Sequence, residues 1–149
     1  MILNITLAFV IPWIVCMLHI FKKDKRLVLT ISSFSSVVGF TVNEIGEYFG
    51  FWSVSPFDKS HLPTIPFILG IFSVLGVYSI YFLRKYKRPY FVIFLFTLIT
   101  TISEGIWLLM GLVKYGNGWN IGWTFVSYLF PFTFLYIYYL GLKRIKILD

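Results

Sequence analysis

TVNEIGEYFGFWSVSPF, residues 41–57, decides how this sequence is read. It closes an apolar run that begins near Leu27, and it sets Glu44 and Glu47 inside that run, where ionisable side chains are costly in lipid. Ser32, Ser33, Ser35, Ser36 and Gly39 precede it at spacings of one to four residues. Small residues of that kind let membrane helices approach closely. Trp52 follows the run, at the place where an interfacial anchor belongs. The reading is a transmembrane helix over 27–51 that carries carboxylates near one end.

Outward from this stretch the chain repeats the same alternation of apolar runs and short polar joints. Apolar segments span about 2–21, 66–83, 90–113 and 121–142, each close to the length that crosses a bilayer. No basic residue precedes 2–21 and no small-x-small site ends it, so it reads as an uncleaved first helix, kinked at Pro12. Pro56, Pro63 and Pro66 make the joint after Trp52 an ordered turn rather than a helix, with Pro66 suited to a first helical turn. Composition agrees: 58% of residues are hydrophobic, 21% aromatic, and mean hydropathy is +0.84. A soluble domain of 149 residues cannot bury that much apolar surface. The expected fold is a single integral membrane helical domain over 1–149, all-α, with five transmembrane helices.

The net charge of +7 does not point to nucleic acid. Of 13 Lys and Arg residues, 11 fall in three clusters, at 22–26, 84–88 and 143–146. Those clusters share one side only if the N-terminus lies outside and the C-terminus in the cytoplasm, which is the orientation the positive-inside rule selects. Only Lys59 and Lys114 remain outside, so the outer half carries a formal −2 and the inner face +9. Cys16, the one cysteine, reads as a small buried hydrophobe and leaves neither a disulfide nor a thiolate cage.

Thr41-Val42-Asn43-Glu44 and Thr101-Ile102-Ser103-Glu104 match at an offset of 60 residues, and the same offset carries Arg84 onto Arg144. Helices two and three then form one hairpin and helices four and five a second, in the same orientation, a parallel repeat about the membrane normal. Pro66 and Pro131 do not obey the offset. Helical rise puts Glu44 and Glu104 more than about 20 Å from the basic ends of their helices, in the outer part of the hydrocarbon core. Asn43, Glu44 and Glu47 share one face of helix two, and Thr97, Thr100, Thr101 and Glu104 share one face of helix four. Polar stripes turn away from lipid, and no Lys or Arg lies within any of the five segments. The carboxylates therefore either carry protons or await a cationic partner.

The candidate ligand-binding residues are Glu44, Glu47, Glu104 and Asn43, with Trp52 and Trp119 as an outer rim. Asp58 and His61 read as ordinary loop residues, His19 as interfacial, and the Phe and Tyr residues of helix five as packing and lipid contacts. No metal site, cofactor motif or soluble-enzyme signature such as GxSxG, a P-loop, CxxC or HExxH is present.

Asn43-Glu44-x-x-Glu47-Tyr48-Phe49-Gly50-Phe51-Trp52, together with Tyr115-Gly116-Asn117-Gly118-Trp119-Asn120, resembles a family of small uncharacterised multi-pass membrane proteins from spore-forming Gram-positive bacteria. That resemblance covers nearly the whole chain and implies a bacterial plasma membrane, with no activity attached. A fainter similarity is to the membrane domains of heterodimeric lycopene cyclases, through Leu62-Pro63-Thr64-Ile65-Pro66 after the acidic Gly-x-Trp stretch. Those domains have acidic residues after the proline, where this chain has Phe67, Ile68 and Leu69.

Three functions follow as expectations. An outward-facing acidic pocket binds a cation, a proton or an amphiphilic ligand. Alternatively, the bundle is a non-catalytic assembly or accessory protein that docks a second copy or another membrane protein. The third is an enzyme acting on an isoprenoid or lipid through a carboxylic acid.

Overall fold

Five apolar runs become five helices. The computed structural model describes residues 2–57 and 62–148. Among them α1 (Ile2–Phe21), α2 (Lys25–Tyr48), α3 (Phe67–Tyr86), α4 (Pro89–Leu109) and α5 (Ile121–Arg144) are long and apolar enough to cross a membrane. Their outward surface is rich in large apolar side chains such as Leu29, Phe91, Phe130 and Ile137. That is the surface of a multi-pass membrane protein, whose solvent is lipid. Asp58 and His61 lie outside the described residues.

Helix α3 is the central element. It packs against α1, α2, α4 and α5, and half of its most apolar window is buried, against 17% for α1. Close approach is achieved by small residues. A Cβ on Gly76 would collide with Ser35 of α2, and one on Gly70 would collide with the α1 backbone at Ala8. The serine stripe of α2 is used within the chain: Ser36 Oγ lies 2.6 Å from Ser73 Oγ, and Ser35 donates to the Phe72 carbonyl at 3.0 Å. That carbonyl belongs to a π-helical stretch at Phe67–Phe72, where widened turns leave backbone groups to side chains. Trp13 of α1 donates to the Leu69 carbonyl of the same stretch at 2.7 Å. Ser33 faces outward and bonds the Leu29 carbonyl on its own helix.

Helices α2 and α4 end earlier than the apolar pattern predicts, at Tyr48 rather than residue 51 and at Leu109 rather than residue 113. The reason is the same in both. Gly50 and Gly111 adopt left-handed φ values of 65° and 71°, and each follows a reverse-turn cap. Phe51 N–H reaches back to the Gly46 carbonyl at 2.8 Å, and Leu112 N–H to the Trp107 carbonyl at 3.0 Å. The chain then turns into two short strands the sequence reading did not anticipate, β1 (Trp52–Val54) and β2 (Val113–Tyr115), which pair antiparallel with Ser53 opposite Lys114. The glycines, the caps and the central strand pair are each 61 residues apart.

This strand pair caps one end of the bundle. Asn117 Nδ2 ties the following turn to the Phe49 carbonyl at 2.6 Å, and Asn120 caps α5 through the Gly122 and Trp123 N–H groups. Buried Asn4 of α1 donates to the Ser55 and Pro63 carbonyls, so the first helix pins both flanks of the proline loop. At the opposite, basic end Asp24 caps α2 through Leu27 N–H and pairs with Arg84 of α3 at 2.7 Å.

Candidate functional site

A cavity of about 110 Å³ lies between α2, α3, α4 and α5, beneath the strand pair. That volume is room for several water molecules or a stretch of hydrocarbon chain. Its wall near the cap is formed by Asn43, Trp52, Ser103, Glu104, Trp107 and Tyr128. Toward the basic end the wall becomes Ile71, Phe72, Leu75, Phe132 and Leu135. The polar atoms that reach the lower part are already used by helix backbones: Ser35 bonds the Phe72 carbonyl and Thr100 the Phe96 carbonyl. The cavity is therefore polar at one end and apolar at the other.

Glu104 is the carboxylate of this wall. Tyr115 of β2 donates to its Oε1 at 2.6 Å, Thr124 of α5 donates to the same oxygen at 3.3 Å, and Tyr128 of α5 donates to Oε2. Behind them Trp119 Nε1 donates to Thr124 Oγ1 at 2.9 Å. A carboxylate offers about four lone-pair sites, so three hydroxyl donors leave one open on Oε2. Among the described residues no Lys or Arg pairs with Glu104. Burial first, and then the bond to Glu104, push the Tyr115 phenol above its ordinary range, so it remains a donor at neutral and mildly alkaline pH.

Asn43 is the second polar group at the cap end, and it is held on both sides. Its Nδ2 donates to Glu47 Oε1 at 3.0 Å, while its Oδ1 accepts from Trp52 Nε1 at 3.1 Å. The Trp52 ring lies over Gly46, where any Cβ would overlap it. Trp52 also meets Trp119 edge-on, with ring centroids 4.9 Å apart, and Trp119 stacks on Phe51 at 4.7 Å. The two tryptophans thus connect the Asn43 and Glu104 networks above the cavity.

Of the six candidate residues, Asn43, Trp52 and Glu104 line the cavity. Glu47 and Trp119 stand behind them as hydrogen-bonding partners, and Glu44 is not among the lining residues. The sequence pattern matches Glu44 with Glu104 at an offset of 60, and the helix caps lie 61 residues apart. Counted back 61 residues, Glu104 meets Asn43, Ser103 meets Val42 and Thr100 meets Gly39, and all six line the cavity. Across α3 and α5 the offset is 60: Ile71 and Pro131, Phe72 and Phe132, Leu75 and Leu135 all face the same space. Pro131 therefore falls opposite the π-helical stretch of α3 rather than opposite Pro66, two different ways of freeing backbone groups at one level.

Tyr128, Thr124 and Tyr115 were missed by sequence reasoning, which treated the aromatic residues of α5 as packing. A signal was available. Thr124, Ser127 and Tyr128 recur at three and four residues, the same periodicity that marks Thr97, Thr100, Thr101 and Glu104 on α4. Tyr115 carried no such signal, because only strand pairing turns it toward Glu104. Among the described residues no three His, Cys, Asp or Glu side chains cluster in a way that would hold a metal ion. No known protein family, curated protein or solved structure matches this chain.

Proposed function

We propose that this chain is a bacterial plasma-membrane protein that binds an amphiphilic ligand in the cavity between its two helix hairpins. The observation that carries the reading is the position of Glu104: among the described residues, one carboxylate without a paired Lys or Arg, at the polar end of a cavity whose other end is apolar. Intramembrane carboxylates are expensive and mark sites of binding or transfer. The N-terminus lies outside and the C-terminus in the cytoplasm, a reading supported by the three basic clusters at one end of the bundle. In that orientation the strand pair and the polar end of the cavity face outward.

The two hairpins are a parallel repeat. Support comes from the paired caps, the matched cavity walls and the strand pair, in which Ser53 faces its own counterpart Lys114. A site on the axis of such a repeat is shared by both halves.

Photolabelling tests the binding reading. The full chain in lipid nanodiscs is exposed to a ten-carbon amphiphile bearing an alkyl diazirine, and adducts are mapped by peptide sequencing. Saturable labelling of Ile71, Leu75, Phe132 and Leu135 is expected. Labelling confined to outward-facing Phe130, Phe134 and Ile137, and not saturable, overturns the reading.

A further inference from the structure

The chemistry of the cavity wall also specifies its ligand. We infer that the ligand is a monocationic amphiphile, an organic ammonium whose head sits between Glu104 and Asn43 beneath the strand pair and whose chain runs toward Leu75 and Leu135. This rests on the cavity-binding reading above and narrows it to one class of ligand.

Charge is the first argument. Two phenol hydroxyls reach Glu104, Tyr115 at Oε1 and Tyr128 at Oε2, so the carboxylate form gives each phenol hydrogen an acceptor, while Thr124 lies nearer Tyr115, at 2.8 Å. The lone-pair site left on Oε2 has no cation supplied by the described residues. An N–H⁺ donor completes it with a charge-assisted bond, which is roughly twice as strong as a neutral one. Among the described residues Glu104 is the single acidic side chain in the wall, so one positive charge balances it, and these residues offer no ligand set for a divalent metal.

The second argument is the surroundings of that charge. Trp52, Phe67, Trp107 and Tyr128 line the same end of the cavity, with Phe67 and Trp107 edge-to-face at 5.0 Å. Aromatic walls favour organic ammonium groups, whose apolar substituents they also accommodate. Asn43 has one N–H and one lone pair remaining after its bonds to Glu47 and Trp52, enough to orient a second polar atom of the head.

Length is the third. On α2 the wall runs from Asn43 to Ser35, and on α3 from Phe67 to Leu75. Eight residues of helix is about 12 Å, and about 110 Å³ along that path holds the head and the first few carbons of a chain. Along that path the Ser35 and Thr100 hydroxyl hydrogens are already given to helix carbonyls. A ligand with one charged end and one hydrocarbon end matches both ends of the cavity.

The test uses the photolabel competition with three ten-carbon probes of equal chain length: decylamine, decanol and decanoate. Concentrations are corrected for partition into protein-free nanodiscs. The expected result is that decylamine displaces the label at least about tenfold more effectively than decanol, with decanoate weakest. In Glu104→Gln the amine and alcohol converge while the label still binds. Equal displacement by all three probes in the wild-type chain overturns the ammonium assignment and leaves amphiphile binding intact. An amine preference that persists in Glu104→Gln also overturns it. Failure of all three probes to displace a saturable label overturns it too, and a label that never saturates removes the underlying cavity reading. The wild-type comparison is decisive even if Glu104→Gln folds poorly.

Discussion

The two helix hairpins arrive at the cavity by the same backbone route and present different chemistry there. Both α2 and α4 end in a reverse-turn cap with a left-handed glycine, and both continue into a strand of the cap. At the equivalent level α2 offers the amide Asn43 and α4 the carboxylate Glu104. The amide is bonded by its own neighbourhood, Glu47 and Trp52. The carboxylate is bonded by the following strand and helix, through Tyr115, Thr124 and Tyr128. A shared scaffold thus carries one charged half and one neutral half, and the difference makes the cavity directional.

The largest effect should come from breaking the charged half. Glu104→Leu leaves the Tyr128 hydroxyl without its acceptor, while Tyr115 and Thr124 still bond each other at 2.8 Å. A loss of about 3 kcal/mol is expected in an SDS-titration unfolding measurement. Asn43→Leu removes the acceptor of Trp52 Nε1 and one donor to Glu47, and should cost about 1 kcal/mol. Equal costs for the two would mean that the halves are interchangeable.

Glycines give the next contrast. Gly46→Ala drives a methyl group into the Trp52 ring and should cost about 2 kcal/mol by the same assay, with a blue or red shift in tryptophan emission. Gly105→Ala meets Ile121 Cδ1 at an ordinary 3.7 Å and should be neutral or stabilising by up to about 1 kcal/mol, as expected for alanine in a helix. A destabilised Gly105→Ala would place α5 closer to α4 than described.

A smaller difference lies deeper. Ser36 of α2 is bonded to Ser73, whereas Thr97 of α4, 61 residues on, has a buried hydroxyl oxygen with no partner among the described residues. Ser36→Ala should cost about 1 kcal/mol, and Thr97→Val should be neutral or slightly stabilising. Thermal melts of the two variants in nanodiscs give the sign directly.

The helix starts differ least in energy. Helix α4 begins with Pro89 at its first turn, but α2 depends on Asp24 as cap and partner of Arg84. Burial alone would raise the Asp24 carboxyl, but the Leu27 N–H and the Arg84 guanidinium outweigh it and hold the group below the usual carboxylate range. Its contribution is complete above the ordinary aspartate value, about pH 4, and is lost as pH falls through the lower folded value. Asp24→Asn should flatten that acid limb and lower stability by under about 1 kcal/mol at neutral pH.

Much of this architecture was legible in the sequence because lipid leaves little choice: apolar length alone assigns the five helices. The site was legible in part. Glu104, Asn43 and Trp52 stood out as polar or amphipathic groups near helix ends, yet Glu44 looked equivalent to Glu104 because four matched letters fixed the register at 60. The helix caps lie 61 residues apart instead, a spacing that depends on hydrogen bonds from Phe51 and Leu112 that no local pattern encodes. The strand pair escaped notice for the same reason, since three-residue strands become stable only when a distant partner is aligned. The serine stripe was legible as a contact surface, and its partner proved to be α3 of the same chain.

Infrared difference spectroscopy on the full chain in nanodiscs, with and without decylamine, tests the central claim most directly. A shift of a carboxylate stretching band on adding the amine, absent with decanol and absent in Glu104→Gln, is the result predicted for an ammonium head at Glu104. A spectrum unchanged by the amine, or a shift that survives in Glu104→Gln, would contradict it.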